Sequence, residues 1–203
     1  MFKNIVTFQL IALFGFCITP AIASTYTFGL VPQQSATKMA QNWIPVLNYL
    51  SEQTGDTYVF KTAKDIPTFE QRLINGEYDF AYMNPYHFTI FNQKPGYQAF
   101  AKQKNKGIQG IFVVNKNSEI KTLADLEGKK IAFPSPAAFA ASIILQAQLH
   151  KQGISFTPQY VSSHDSVYLN VAQDNYASGG GIQRTFNNTS ESTKNDLTIL
   201  WKS

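Results

Sequence analysis

The stretch "IKTLADLEGKKIAFPSPAAFAASIILQAQLHKQGI" spans residues 120–154 and decides the fold class. Its middle, Lys130-Ile131-Ala132-Phe133, is a short run leading from charge into apolar residues and stopped by Pro134, which reads as a buried strand. From Ala137 a helical run extends to Gln152, and Gly153 closes it. Strand, loop and helix in this order form half of a βαβ unit. The loop between them, Pro134-Ser135-Pro136-Ala137-Ala138, leads into a helix N-terminus. The first N–H groups of a helix lack intrahelical partners and lie at the positive end of its dipole, which suits an anion. Ser135 offers a hydroxyl, whereas Ala137 and Ala138 offer backbone only. The dipole contributes only ~0.3–1 kcal/mol per charge in exposed settings, so side chains from other loops must help.

The same alternation continues on both sides. Upstream, Thr25–Pro32 and Thr57–Ala63 read as strands, separated by a helical pattern in which Met39, Trp43, Leu47 and Leu50 share a face. Pro45 either kinks that helix or marks its start. Ile66–Gly76 reads as a short helix, Tyr78–Pro85 as a strand, and Tyr86–Gln93 as another helix. Tyr97–Gln103 and Ile108–Lys116 read as strands. Downstream, Thr157–Ser163 reads as a strand and His164–Asp174 as a helix capped near Ser163. Tyr176–Phe186 reads as a strand giving way to a glycine-rich turn, and Leu197–Trp201 as a final strand. Alternating strands and helices predict an α/β protein with mainly parallel sheets. The break at 103–108, "QKNKG" with its flanking residue, divides it into two series and hence two lobes.

Composition bounds the function. The 203 residues are 44% hydrophobic and 15% charged, enough to fill a core and unlike a disordered chain. A net charge of +4, scattered without a basic stripe, argues against nucleic acid as a partner. The first 23 residues carry one Lys, an apolar run from Ile5 to Ile18 and the tripeptide Ala21-Ile22-Ala23. This is the pattern of a cleaved signal peptide, and it predicts an exported, soluble protein. Cys17, the only cysteine, lies in that segment, so the mature chain is expected to have no thiol chemistry. His87 and His150 have no spacing that completes a metal site, and no cofactor fingerprint is present.

"SEIKTLADLEGKKIAF", "FEQRLINGEYDFAYMNPYHF" and "SSHDSVYLNVA", in this order and spacing, resemble the periplasmic solute-binding proteins of ABC importers, in the phosphate/phosphite/phosphonate-binding branch. The resemblance covers essentially the whole chain after the signal segment. It implies an α/β, two-lobed type II periplasmic binding protein, with lobe one incomplete at the C-terminus. The boundaries that follow are signal peptide 1–23, lobe one 24–105, lobe two 106–196, and the start of a return strand to lobe one at 197–203.

The resemblance implies a small anionic solute held between the lobes, delivery to an ABC permease in the inner membrane, and a monomer without catalytic residues, cofactor or metal. A ligand-sensing module feeding a membrane receptor kinase is the alternative, and an enzyme on the same fold, with His164 and Asp165 as acid and base, a third. The candidate ligand-binding residues are Gln34, Ser35, Tyr82, Asn84, Tyr86, Ser135, Ala137, Ala138, His164, Asp165 and Arg184. Tyr82, Asn84 and Tyr86 would supply an aromatic wall and an amide. His164 would donate an N–H oriented by Asp165, and Arg184 would hold an oxyanion bidentately. Ser135 is the one hydroxyl of a loop that in the family is usually rich in Ser and Thr. Ala177 stands where relatives carry an acid that meets a ligand amino group, so an aminoalkylphosphonate is not implied.

Overall fold

The structure, a computed structural model, describes residues 23–203; the expected signal segment, apart from Ala23, lies outside the described residues. The first half contains β1 (Thr25–Leu30), α1 (Ala36–Thr54), β2 (Thr57–Lys61), α2 (Ile66–Ile74), β3 (Phe80–Tyr82) and α3 (Pro85–Phe91). Its strands form a parallel sheet in the order β2-β1-β3. One face buries Phe28 and Leu30 against Met39 and Leu47 of α1; Phe69, Leu73, Tyr78 and Phe91 form the apolar layer that holds α2 and α3. Ser35 caps α1 by accepting from Lys38 N, and Gly55 ends it with φ +78°. The helix runs through Pro45, so that residue does not mark its start.

The second half contains β4 (Gly110–Asn115), β5 (Lys129–Phe133), α4 (Ile144–Lys151), β6 (Phe156–Tyr160), α5 (His164–Ala172), β7 (Ser178–Ile182), α6 (Gln183–Asn187), α7 (Glu191–Asn195) and β8 (Leu197–Lys202). The sheet order is β6-β5-β7-β4-β8. The strands β6, β5 and β7 are parallel, but β4 runs antiparallel to both β7 and β8. The second sheet is therefore mixed, where the alternating pattern suggested mainly parallel pairing. Among the described residues the chain passes between the two sheets once, through residues 92–109. Ser203, just past β8, donates its N–H to Gly110 O at 3.0 Å.

Three local expectations differ from what is observed. Tyr97–Gln103 is not a strand; it joins neither sheet, and Phe100 is 77% exposed. Its alternation favours extension, but a strand also needs a ladder, and neighbouring β3 is only three residues long. The glycines Gly179-Gly180-Gly181 form the middle of β7 and not a turn. Their role is close approach: a Cβ on Gly180 would stand 2.2 Å from Ala141 O, and one on Gly181 2.2 Å from Tyr168 Oη. Finally, the helix expected from Ala137 opens with a π-turn over Phe139–Ile143 before α4 begins. There Ile143 N donates to Ala138 O at 3.2 Å, five residues back.

Candidate functional site

Five segments, short loops or the first turns of the helices that follow, lie past the C-terminal ends of parallel strands, where open α/β sheets place their ligands. They carry Gln33–Ser35 after β1, Asn84–Tyr86 after β3, Ser135–Ala138 after β5, His164–Asp165 after β6, and Gln183–Arg184 after β7. The segment from Gln33 to Lys38 meets the second half of the chain directly. His164 N donates to Gln33 O at 3.3 Å, and Ser35 N donates to Asp165 Oδ2 at 3.2 Å. Tyr86 stacks on Phe139, with ring centroids 5.6 Å apart and planes 9° from parallel. The loops of the two lobes are thus in contact.

On the lobe-two side, six buried side-chain polar atoms have no protein partner among the described residues: Ser118 Oγ, Ser135 Oγ, Ser142 Oγ, His164 Nδ1, Asp165 Oδ1 and Gln183 Oε1. Three of them belong to wholly buried residues, Ser135, Ser142 and His164, which are 1%, 0% and 2% exposed. Val161 N donates to Phe133 O at 2.9 Å, which ties the loop carrying His164 to the strand that leads into Ser135. A buried donor or acceptor left unsatisfied costs about 1–3 kcal/mol, so such groups point to something they are built to meet. Burial, and then the positive charge of Arg184, lowers the His164 pKa from 6.5 to about 3. The ring is therefore neutral at physiological pH and can donate one N–H.

Asp165 lies in the first turn of α5, where its charge favours the helix dipole. Its Oδ1 is buried without a partner, as is Gln34 Nε2 across the lobe contact. Ser35 is occupied as the cap of α1. Asn84 is likewise occupied: its side chain accepts from His87 N at 2.8 Å, with Pro85 following at the first helical position. Ala137 is partly buried and Ala138 buried. Ala138 N donates to Ser135 O at 3.4 Å, so the helix offers an anion the first-turn N–H groups beyond Ala138. Tyr82 and Arg184 meet directly, with Arg184 Nη1 donating to Tyr82 Oη at 2.6 Å.

Sequence reasoning does not single out Ser142; it offers Gln33 as a plausible donor beside Gln34 and Ser35, and Phe139 only as packing for the helix start. Ser142 is a polar residue within an apolar helical run, a signal that was present but is shared with many helix interiors. A cavity of about 180 Å³ has Gln33, Gln34, Tyr82 and Arg184 on its wall. A larger cleft of about 1130 Å³ also borders Gln33, Tyr82 and Arg184 and is walled by Phe80, Met83, Phe100 and Ile182. Ser135, Ser142 and His164 line neither; they are enclosed more deeply. Among the described residues, no group of three or more His, Cys, Asp or Glu side chains could hold a metal ion.

Residues 28–203 match the family model described as "ABC transporter, phosphonate, periplasmic substrate-binding protein". The chain belongs to this family. Within the phosphonate-binding family and its neighbours, one similar protein is the phosphate-import protein PhnD of Mycolicibacterium smegmatis, 21% identical over 88% of this chain. The chain spans 63% of that relative's length. Among solved structures, the binding-protein component of an ABC phosphonate transporter from Pseudomonas aeruginosa superposes with a TM-score of 0.77. It is 18% identical, over 90% of this chain and 66% of that one. PhnD1 from Prochlorococcus marinus, in complex with methylphosphonate, gives a TM-score of 0.81 at 17% identity, over 88% of this chain and 72% of that one. The fold is that of two-lobed periplasmic binding proteins. These relatives are binding components of transporters, not enzymes.

Proposed function

We propose that the chain captures a small phosphorus oxyanion (a phosphonate, phosphite or phosphate) between its lobes, in the periplasm, and presents it to an ABC permease. The observation that carries this reading is the set of unpartnered buried groups Ser135 Oγ, Ser142 Oγ and His164 Nδ1 on one side of the lobe contact. Two hydroxyls and a neutral imidazole N–H are donors without fixed charge, which suits a compact oxyanion with several acceptor oxygens. First-turn N–H groups of the helix entered from Ser135 add donors of the same kind. Membership in the phosphonate-binding family supports the same solute class. The chain acts as a monomer, and closure of the lobes shields the solute from water.

Titration calorimetry of the chain with methylphosphonate, phosphite, phosphate, 2-aminoethylphosphonate, sulfate and methanesulfonate tests this. One or more of the first three should bind at micromolar or lower concentration, and the amino-bearing ligand more weakly. Binding of sulfate or methanesulfonate alone would remove the phosphorus assignment, and no binding of any of the six would remove the reading altogether.

A further inference from the structure

Arg184 has its terminal nitrogens engaged by protein. Nη1 donates to Tyr82 Oη at 2.6 Å and Nη2 to Gln33 Oε1 at 2.8 Å. The guanidinium carbon also stands 5.8 Å from the centroid of the Tyr82 ring. Arg184 follows β7 in the second lobe, whereas Tyr82 and Gln33 follow β3 and β1 in the first. Gln33 is held a second time through its carbonyl by His164 N, and Lys38 Nζ donates to Asn188 O. These ties join protein to protein and need no ligand between them.

We propose that Arg184 is a positioning residue that latches the two lobes together, and that it sets affinity through the population of the closed form and not by touching the anion. Arginine suits this work because its planar fork reaches two acceptors in fixed directions, whereas a lysine ammonium is a single point charge. When only a fraction of the protein is competent to bind, apparent affinity falls by that fraction. Losing the latch therefore weakens every ligand by one common factor. A direct anion contact would instead weaken a dianion more than a monoanion.

The affinity half of this inference rests on the proposed solute; the closure half does not. Small-angle X-ray scattering of the ligand-free chain should show a larger radius of gyration in Arg184→Ala than in the parent, with Tyr82→Phe intermediate and Arg184→Lys failing to restore compactness. Dissociation constants for methylphosphonate, phosphite and phosphate should all rise by the same factor in Arg184→Ala, about tenfold or more for two charge-assisted hydrogen bonds. An unchanged scattering profile in a natively folded Arg184→Ala, verified by circular dichroism, overturns the latch. So does an affinity loss that grows with ligand charge. If the parent binds none of the three anions, the solute assignment fails while the scattering comparison still decides the latch.

Discussion

His164 illustrates how a single residue can link stability to the binding site. Its ring is 2% exposed, and burial, followed by the charge of Arg184, holds its pKa at about 3 against an ordinary 6.5. In the unfolded chain the ring takes up a proton near pH 6.5; in the folded chain it does not until about pH 3. Its contribution to stability is complete above pH 6.5 and is lost as pH falls toward 3, at up to about 1.4 kcal/mol per pH unit. The melting temperature of the parent should fall between pH 6.5 and 4.5 more steeply than that of His164→Gln; parallel curves would contradict the assignment. Ser135 makes a complementary case. Removing an unpartnered buried hydroxyl spares the free protein a desolvation penalty, so Ser135→Ala should melt at a higher temperature, by about 1 kcal/mol of stability. The same change should weaken the bound oxyanion by about tenfold in a titration. Ser135 was legible in the sequence because it stands alone in a strand-to-helix loop. Ser142 was not, since its depth depends on the turn that carries it.

At the scale of elements, β7 shows what a periodic reading misses. Ser-Gly-Gly-Gly-Ile has no side-chain pattern and reads as a turn, yet it is a fully buried strand between β5 and β4. The reason is tertiary: α5 and the π-turn before α4 press on it closely from outside the strand. Gly180→Ala should therefore cost about 1–3 kcal/mol by overpacking, read as a lower urea midpoint. A neutral result would mean that Ala141 and Phe133 yield without strain. The π-turn was invisible for a related reason. Its wider winding lasts a single turn, too short to shift an apolar period, and it is stabilised where Gly110 and Gly180 leave room for the carbonyls of Ala140 and Ala141. By contrast, the cap at Ser163 is announced by its residue type, and it accepts from Ser166 N; Ser35 and Asp65 cap α1 and α2 by the same geometry, each accepting from the backbone N–H three residues on.

At the scale of the molecule, the two-lobed α/β arrangement was legible because strands and helices alternate, and because the charged break near residues 103–108 separates the two series. The direction of β4 was not, since strand polarity within a sheet follows from connections that periodicity does not encode. The relation between lobes was legible only as a list of loops at strand ends; which of them touch depends on geometry. One such contact has an optical consequence. Trp43 packs against the Tyr82 ring with centroids 4.9 Å apart, and Tyr82 in turn carries the guanidinium of Arg184. The chain's other tryptophan, Trp201, lies in β8 against Phe112, away from the lobe contact. Separation of the lobes strips a cation from the far side of Tyr82 and changes the surroundings of the half-buried Trp43 indole, while Trp201, half-buried against Phe112, keeps its own. The protein thus carries its own fluorophore beside the lobe contact, and emission from a Trp201→Phe variant, in which Trp43 is the one remaining tryptophan, follows opening and closing without any added label.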